Sequence, residues 1–129
     1  MTQTVNVFQL ASQLAAHATK RQSLIALNVA NADTPGYKAR DLTPFADSFN
    51  SDSTMSLRTT RPGHLQSSFQ PQNAEVVTES NFGAESPNGN SVSLEDQMVR
   101  ASEVRMQHDL AMGIYAKSLQ ILRTSMGRS

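Results

Sequence analysis

Apolar and small residues recur along the last third of the chain in steps of four and three. The row contains Leu94, Met98, Ala101, Arg105, His108, Met112, Tyr115, Leu119, Leu122 and Met126, and Arg105 and His108 are the two residues that break it. A repeat near 3.5 residues predicts a helix with a coiled-coil seam. Ser93 is placed to cap the first turn and Gly127 to end the last, so one long helix is predicted between them.

A second helix is predicted near the N-terminus, from about Val5 to Asn31, because this segment contains no glycine or proline. Its apolar positions form a broad stripe of Val7, Leu10, Leu14, Ala18, Leu24, Ile25 and Val29. Neither helix can bury a one-sided stripe alone, so we expect an antiparallel pair whose remaining apolar surface packs on other copies or partners. Basic side chains in the stripes should face carboxylates of another subunit or solvent: His17, Arg21, Arg105 and His108.

The middle of the chain, from about Pro35 to Asn90, contains all five prolines and many serines, asparagines and glutamines. Long helices are not expected there. The runs MSLRTT (55–60) and AEVVTE (74–79) have strand-like β-branched content, and RPGH and SPNGNS are typical of turns. The predicted fold is mainly α, with long N- and C-terminal helices paired as an antiparallel coiled coil and an irregular or short-β, partly disordered middle. The single domain then divides into residues 1–34, 35–91 and 92–129.

Composition narrows the classes of function. The 129 residues carry eleven basic and eleven acidic side chains, which removes the electrostatic basis expected of a nucleic-acid-binding protein. Cysteine is absent, so disulfides and thiolate metal sites are excluded. Because no run of about eighteen apolar residues and no cleavable signal pattern is visible, we expect neither an integral membrane segment nor a processed leader.

Candidate chemistry is sparse. The three histidines match no metal-ligand spacing, and no phosphate-binding glycine loop, nucleophile elbow or paired-carboxylate motif is present. Methionines of the C-terminal helix are better explained as adaptable packing than as ligands. We therefore expect no catalytic residue, metal or cofactor, and interpret the chain as a non-enzymatic protein. The predicted assembly seam consists of Leu10, Leu14, Leu24, Ile25, Leu94, Met98, Met112, Tyr115, Leu119, Leu122 and Met126.

The segment LNVANADTPGYKARDL (27–42) ends the first helix with two asparagines and a Thr-Pro-Gly-Tyr step. Asn28 and Asn31 share a helix face and can bond carbonyls or a neighbouring chain. Residues 34–37 suit a type II turn with Gly36 at positive φ. The segment resembles the N-terminal motif of flagellar rod and hook proteins, which is carried here by Asn28, Asn31, Thr34, Pro35, Gly36 and Tyr37.

This resemblance extends over nearly the whole chain, because its length, LRTTRPGHLQ (57–66) and the segment from Asn88 onward look most like subunits of the proximal rod. It implies a structural axial subunit that assembles helically through its terminal helices, transmits torque and lines the export channel. The implied partners are other rod subunits, the membrane-ring/rod adaptor and the flagellar type III export apparatus. The implied location is the periplasm-crossing rod. A small helical adaptor or export-chaperone-like binding module is the alternative.

Overall fold

The computed structural model describes residues 2–47, 76–78 and 85–127. Two long helices, α1 (Thr2–Ala30) and α2 (Leu94–Ser125), flank two short strands, β1 (Arg40–Leu42) and β2 (Val76–Thr78). The mainly helical class predicted from the sequence is confirmed. None of the helices in these ranges is long and apolar enough to span a bilayer.

Capping residues fix both ends of α2. Ser93 has an extended backbone, and its side chain accepts a hydrogen bond from the Asp96 amide at 3.4 Å. Glu95 and Asp96 lie in the first turn, where the helix dipole favours negative charge. Gly127 follows the last turn with a φ of 64°, a conformation that commonly ends helices. The predicted start and stop of this helix are both confirmed.

The two helices form an antiparallel hairpin. At one end, Asn28 of α1 donates to the Gln97 side chain near the start of α2 at 3.0 Å. At the other end, the rings of Phe8 and Tyr115 meet edge to face with centroids 5.1 Å apart. The buried apolar residues of the two helices are Ala11, Ala18, Ile25, Val104 and Ala111. Because most of these side chains are small, the helices can approach closely and the core stays thin.

Strands β1 and β2 pair in antiparallel register, with Asp41 opposite Val77 and Leu42 opposite Val76. Strand β1 packs against α1, and its residues Asp41 and Leu42 are buried. The strand predicted within residues 74–79 is confirmed as β2. The strand predicted at 55–60 and the turn at 61–64 lie outside the described residues.

Candidate functional site

Asn28 connects the end of α1 to the strand and to α2. Its amide nitrogen donates to the Arg40 carbonyl at 2.7 Å and to the Gln97 side-chain oxygen at 3.0 Å. Its amide oxygen accepts from the Arg40 N–H at 3.0 Å and from the Tyr37 hydroxyl at 3.3 Å. The side chain thus pairs with both main-chain groups of Arg40, as a neighbouring strand would. At 2% exposure, this asparagine is part of the core and not a defect in the apolar stripe.

Asn31 and the residues after it turn the chain out of the helix. The Asn31 amide donates to the Leu27 carbonyl at 2.8 Å, and its oxygen accepts from the Thr34 hydroxyl at 3.2 Å. The Tyr37 N–H then bonds the Thr34 carbonyl at 3.2 Å, and Gly36 has a φ of 71°. This geometry is the predicted type II turn, in which only glycine takes the third position without strain.

A second segment, residues 86–91, holds this turn from the other side. The side-chain nitrogen of Asn90 lies within 2.8 to 3.0 Å of the carbonyl oxygens of Asn31, Ala32 and Thr34, which follow the end of α1. The Gly36 N–H donates to the Asn88 carbonyl at 3.0 Å. The pattern of residues 86–91 predicts a turn but not the role of Asn90, although asparagines on both sides of a glycine are typical of side chains that bond the backbone.

A buried carboxylate joins β1 to both helices. Asp41 accepts from Arg21 Nε and Nη2 of α1, both at 2.8 Å, and from Arg100 Nη1 of α2 at 2.6 Å. Arg100 also pairs with Asp96 at 2.8 Å. The expectation that Arg21 faces another subunit or solvent is therefore wrong. Its partner lies 20 residues away in the same chain, brought there by the turn that follows α1.

The electrostatic state of this cluster follows from its contacts. Burial alone would raise the pKa of the Asp41 carboxyl, but the hydrogen bonds and charge of Arg21, the Leu42 N–H and Arg100 outweigh burial and lower it below its ordinary value. The hydrogen bond to Asp41 in turn raises the pKa of Arg21. Asp41 is therefore ionised at neutral pH and fixes the positions of α1, β1 and α2 relative to one another.

His17 is the third polar residue of the α1 stripe, after Asn28 and Arg21, that has its partners within the same chain. Its Nε2 lies 2.9 Å from the Thr43 carbonyl, and its ring contacts Phe45 edge to face with centroids 5.6 Å apart. It is 4% exposed, so the expectation that it faces solvent or another subunit is also wrong. Together with Arg21 and Asn28, it lies on the side of the hairpin that residues 39–45 cover.

On the opposite side of the hairpin, the described residues leave a groove between the helices uncovered. A groove of about 700 Å³ runs between the helices there, and Ala18, Gln22, Ala26, Ala101, Val104 and Arg105 are among the residues that line it. Its α1 wall is built from alanines and uncharged polar side chains, whereas its α2 wall carries Arg105 and His108. Within the part of the chain that the structure describes, the hairpin thus has one face covered by residues 39–45 and one face that no described segment covers.

Most of the predicted seam residues of α2 are not buried between the two helices, and none of them lines the groove. The residues of α2 that α1 buries are Gln97, Val104, Ala111 and Ser118. Six predicted seam residues of α2 are exposed: Leu94, Met98, Met112, Tyr115, Leu119 and Met126. Leu122 is half-buried, and in α1 Ile25 is buried, Leu14 and Leu24 are half-buried and Leu10 is exposed. The role of this seam in assembly stays a prediction.

Metal binding was the other kind of site to consider among the described residues. Within residues 2–47, 76–78 and 85–127, no three acidic or histidine side chains are grouped closely enough to hold a metal ion. The polar cluster around Asp41 is occupied by its own ion pairs and connects elements of the fold. The described surface carries the apolar row of α2, the groove between the helices and the turn at residues 34–37.

Comparison with known proteins identifies the class to which this arrangement belongs. Residues 13–38 match the family model described as flagella basal body rod protein. The flagellar basal body rod protein FlgB of Agrobacterium fabrum is 34% identical over 112 residues, which cover 84% of this chain and 83% of that protein. FlgB of Aquifex aeolicus is 31% identical over 111 residues, covering 85% of each chain. FlgB of Proteus mirabilis is 46% identical over 37 residues, 29% of this chain and 27% of that protein.

The helical hairpin and the motif that ends α1 therefore define a structural subunit of the flagellar basal body rod. Similarity over more than four fifths of the chain narrows the class further. The chain belongs to the FlgB family of flagellar basal body rod proteins. It is located in the flagellar basal body and associates with other components of that structure.

Proposed function

We propose that the chain builds the proximal rod by helical assembly, in which its terminal helices pack against neighbouring axial subunits. The assembled rod transmits torque and surrounds the channel through which later subunits are exported. One observation carries this proposal. In a chain that is already folded into a hairpin, the row from Leu94 to Met126 leaves large apolar side chains exposed, with Met98 and Met126 each 72% exposed.

Exposed apolar rows of this length are unusual on a monomer and mark sites of protein association. Burying one large apolar side chain at an interface stabilises it by about 1.5–3 kcal/mol, before the entropy of association is subtracted. We propose that the row contacts a different surface of the neighbouring subunit, because a row that paired with its own copy would close a two-fold dimer and end the assembly. Contacts of that heterologous kind extend into open helical assemblies when the rotation does not close a ring.

The proposed partners are other rod subunits, the membrane-ring/rod adaptor and the flagellar type III export apparatus, which exports the chain without a cleaved signal peptide. The rod then crosses the periplasm. Residues 1–34 and 92–129 form the assembling layer, and residues 35–91 form the outer segment. The motif from Asn28 to Tyr37 fixes the direction in which the chain leaves the inner helix for that segment. The role is structural and involves no catalysis.

A deletion strain tests the proposal. We expect it to lack the rod in images of isolated basal bodies and to be non-motile, and we expect the wild-type gene to restore both. The double variant Met98→Lys/Leu119→Lys should fail to restore them, because it places two charges in the apolar row. Gln120→Lys is the matched control, since Gln120 is exposed on the same helix beside the row. Intact rods in the deletion strain would overturn the proposal, as would a protein found only in a small soluble complex.

A further inference from the structure

The open groove and the outward side of α2 have complementary charge. The described residues that line the groove include Arg105 and His108 and no carboxylate, and α1 as a whole contains no acidic residue. Among the described residues, Arg105 makes no ion pair. An occupant that carries a carboxylate among apolar side chains would therefore supply what this groove lacks.

The same chain carries such a surface. Val99, Glu103, Met106 and Leu110 follow one another at helical spacing and form what we call the outer stripe. Val99 is 58% exposed, Met106 69% and Leu110 57%, and Glu103 is exposed among them. None of these four residues lines the groove, so the stripe belongs to a different face of α2.

We propose that the groove of one copy receives the outer stripe of a second copy of this chain, with Glu103 paired to Arg105. The small side chains of the α1 wall, Ala18 and Ala26 among them, leave room for the helix of the neighbour to approach closely. The stripe spans twelve residues, or about 18 Å of helix, which suits the short length of the groove wall. Because groove and stripe are different surfaces, each copy can bind one neighbour on each side. This inference rests on the proposed rod function and specifies which faces meet.

Cross-linking in assembled basal bodies tests the contact. The chain contains no cysteine, so single cysteines can be introduced without background. Cells that produce an Ala26→Cys chain and a differently tagged Met106→Cys chain should yield a cross-link between the two tags after treatment with a short bismaleimide. Lys20→Cys replaces Ala26→Cys in the matched control, because Lys20 is exposed on the same helix outside the groove lining, and it should yield no such product.

The outcomes separate the contact from the rod function. Basal bodies that contain the chain but give no Ala26–Met106 product overturn the contact and leave the function standing. A product that joins Ala26→Cys to a different protein also overturns it, because the occupant is then not a second copy. If the chain is missing from the basal bodies of a motile strain, the rod function itself fails.

A charge exchange gives a second, independent test. We expect Arg105→Glu alone and Glu103→Lys alone each to cause loss of flagella, because like charges then meet at every contact between copies. A strain producing both variants should recover flagella, since each groove can then find a stripe of opposite charge. Lys20→Glu is the control and should retain them. Because Glu103 also acts electrostatically on Arg21, urea unfolding of the purified variants must show wild-type stability. Full motility of the Arg105→Glu strain, or no recovery in the mixed strain, would contradict the pairing.

Discussion

Replacing Asn28 by alanine tests whether this buried amide holds the end of α1 to the rest of the fold. The change removes bonds of 2.7 and 3.0 Å to the Arg40 main chain and one of 3.0 Å to Gln97. Arg40 is exposed, so water can replace its partners, and each of those bonds contributes about 1 kcal/mol. Gln97 is 2% exposed, so depriving its side-chain oxygen of that donor costs about 1–3 kcal/mol. We expect the free energy of unfolding to fall by about 3–5 kcal/mol from these three bonds, and loss of the longer bond of 3.3 Å to the Tyr37 hydroxyl adds at most about 1 kcal/mol.

Urea unfolding of the purified chain, followed by the helical circular dichroism signal, measures this loss. Asn31→Ala is the matched control, because it removes an asparagine of the same motif whose amide bonds the Leu27 carbonyl, only four residues earlier, at 2.8 Å. We expect that control to lose about 1 kcal/mol or less. The reasoning would be refuted if Asn28→Ala were no more destabilising than Asn31→Ala.

Three further predictions concern the same end of the molecule. Asp41→Asn should lower the free energy of unfolding at neutral pH by about 3 kcal/mol, because Arg21 loses its buried counter-charge. The control Asp47→Asn, at an exposed site, should change it by less than about 0.5 kcal/mol. Equal effects of the two changes in urea unfolding would contradict the role of the Asp41 cluster. The pKa of Asp41 is lower in the folded chain than in the unfolded chain, so its ionised form stabilises the fold at any pH above the unfolded-state pKa of about 3.9. This stabilisation is lost as the pH falls through the folded-state pKa. Acid titration of the wild-type chain should therefore show a loss of stability in that pH range, and Asp41→Asn should lack it. Gly36→Val should destabilise the fold by about 1–2 kcal/mol in thermal unfolding through the φ of 71° alone, because a Cβ there meets no atom within 4 Å. The control Gly113→Ala, in a helix with equal room, should stabilise the fold by up to about 1 kcal/mol. An unchanged stability of Gly36→Val would argue against a required left-handed turn.

Local patterns predicted the elements that depend on local physics. The ends of α2 follow from Ser93 and Gly127, whose capping geometry involves only neighbouring residues. The turn at Gly36 follows in the same way from proline and glycine at adjacent positions. The strand β2 was recognisable from its β-branched residues, although nothing in its own sequence specified that it pairs with β1.

Contacts between distant residues could not be read from the pattern. Asn28 bonds Gln97, which lies 69 residues away, and Arg100 bonds Asp41 across 59 residues. Polar residues on an apolar stripe fit a buried network, a contact with another subunit or solvent equally well until the path of residues 37–45 is known. For that reason the partners of Arg21 and His17 were predicted wrongly, although the helix that carries them was predicted correctly.

The row of large apolar residues on α2 shows how side-chain size, and not hydrophobicity alone, selects the inner face of a helical pair. Periodicity indicated a seam through Leu94, Met98 and Met112, but α1 instead packs against a face that includes Val104 and Ala111. Small side chains allow the two backbones to come close and allow Asn28 and Asp41 to bridge the elements, which bulky residues at those positions would prevent. The large side chains are thereby left outside, where their burial contributes nothing to the isolated hairpin. Their apolar surface can lower the free energy only through association, which is why the stability of such a subunit is expected to depend on its neighbours.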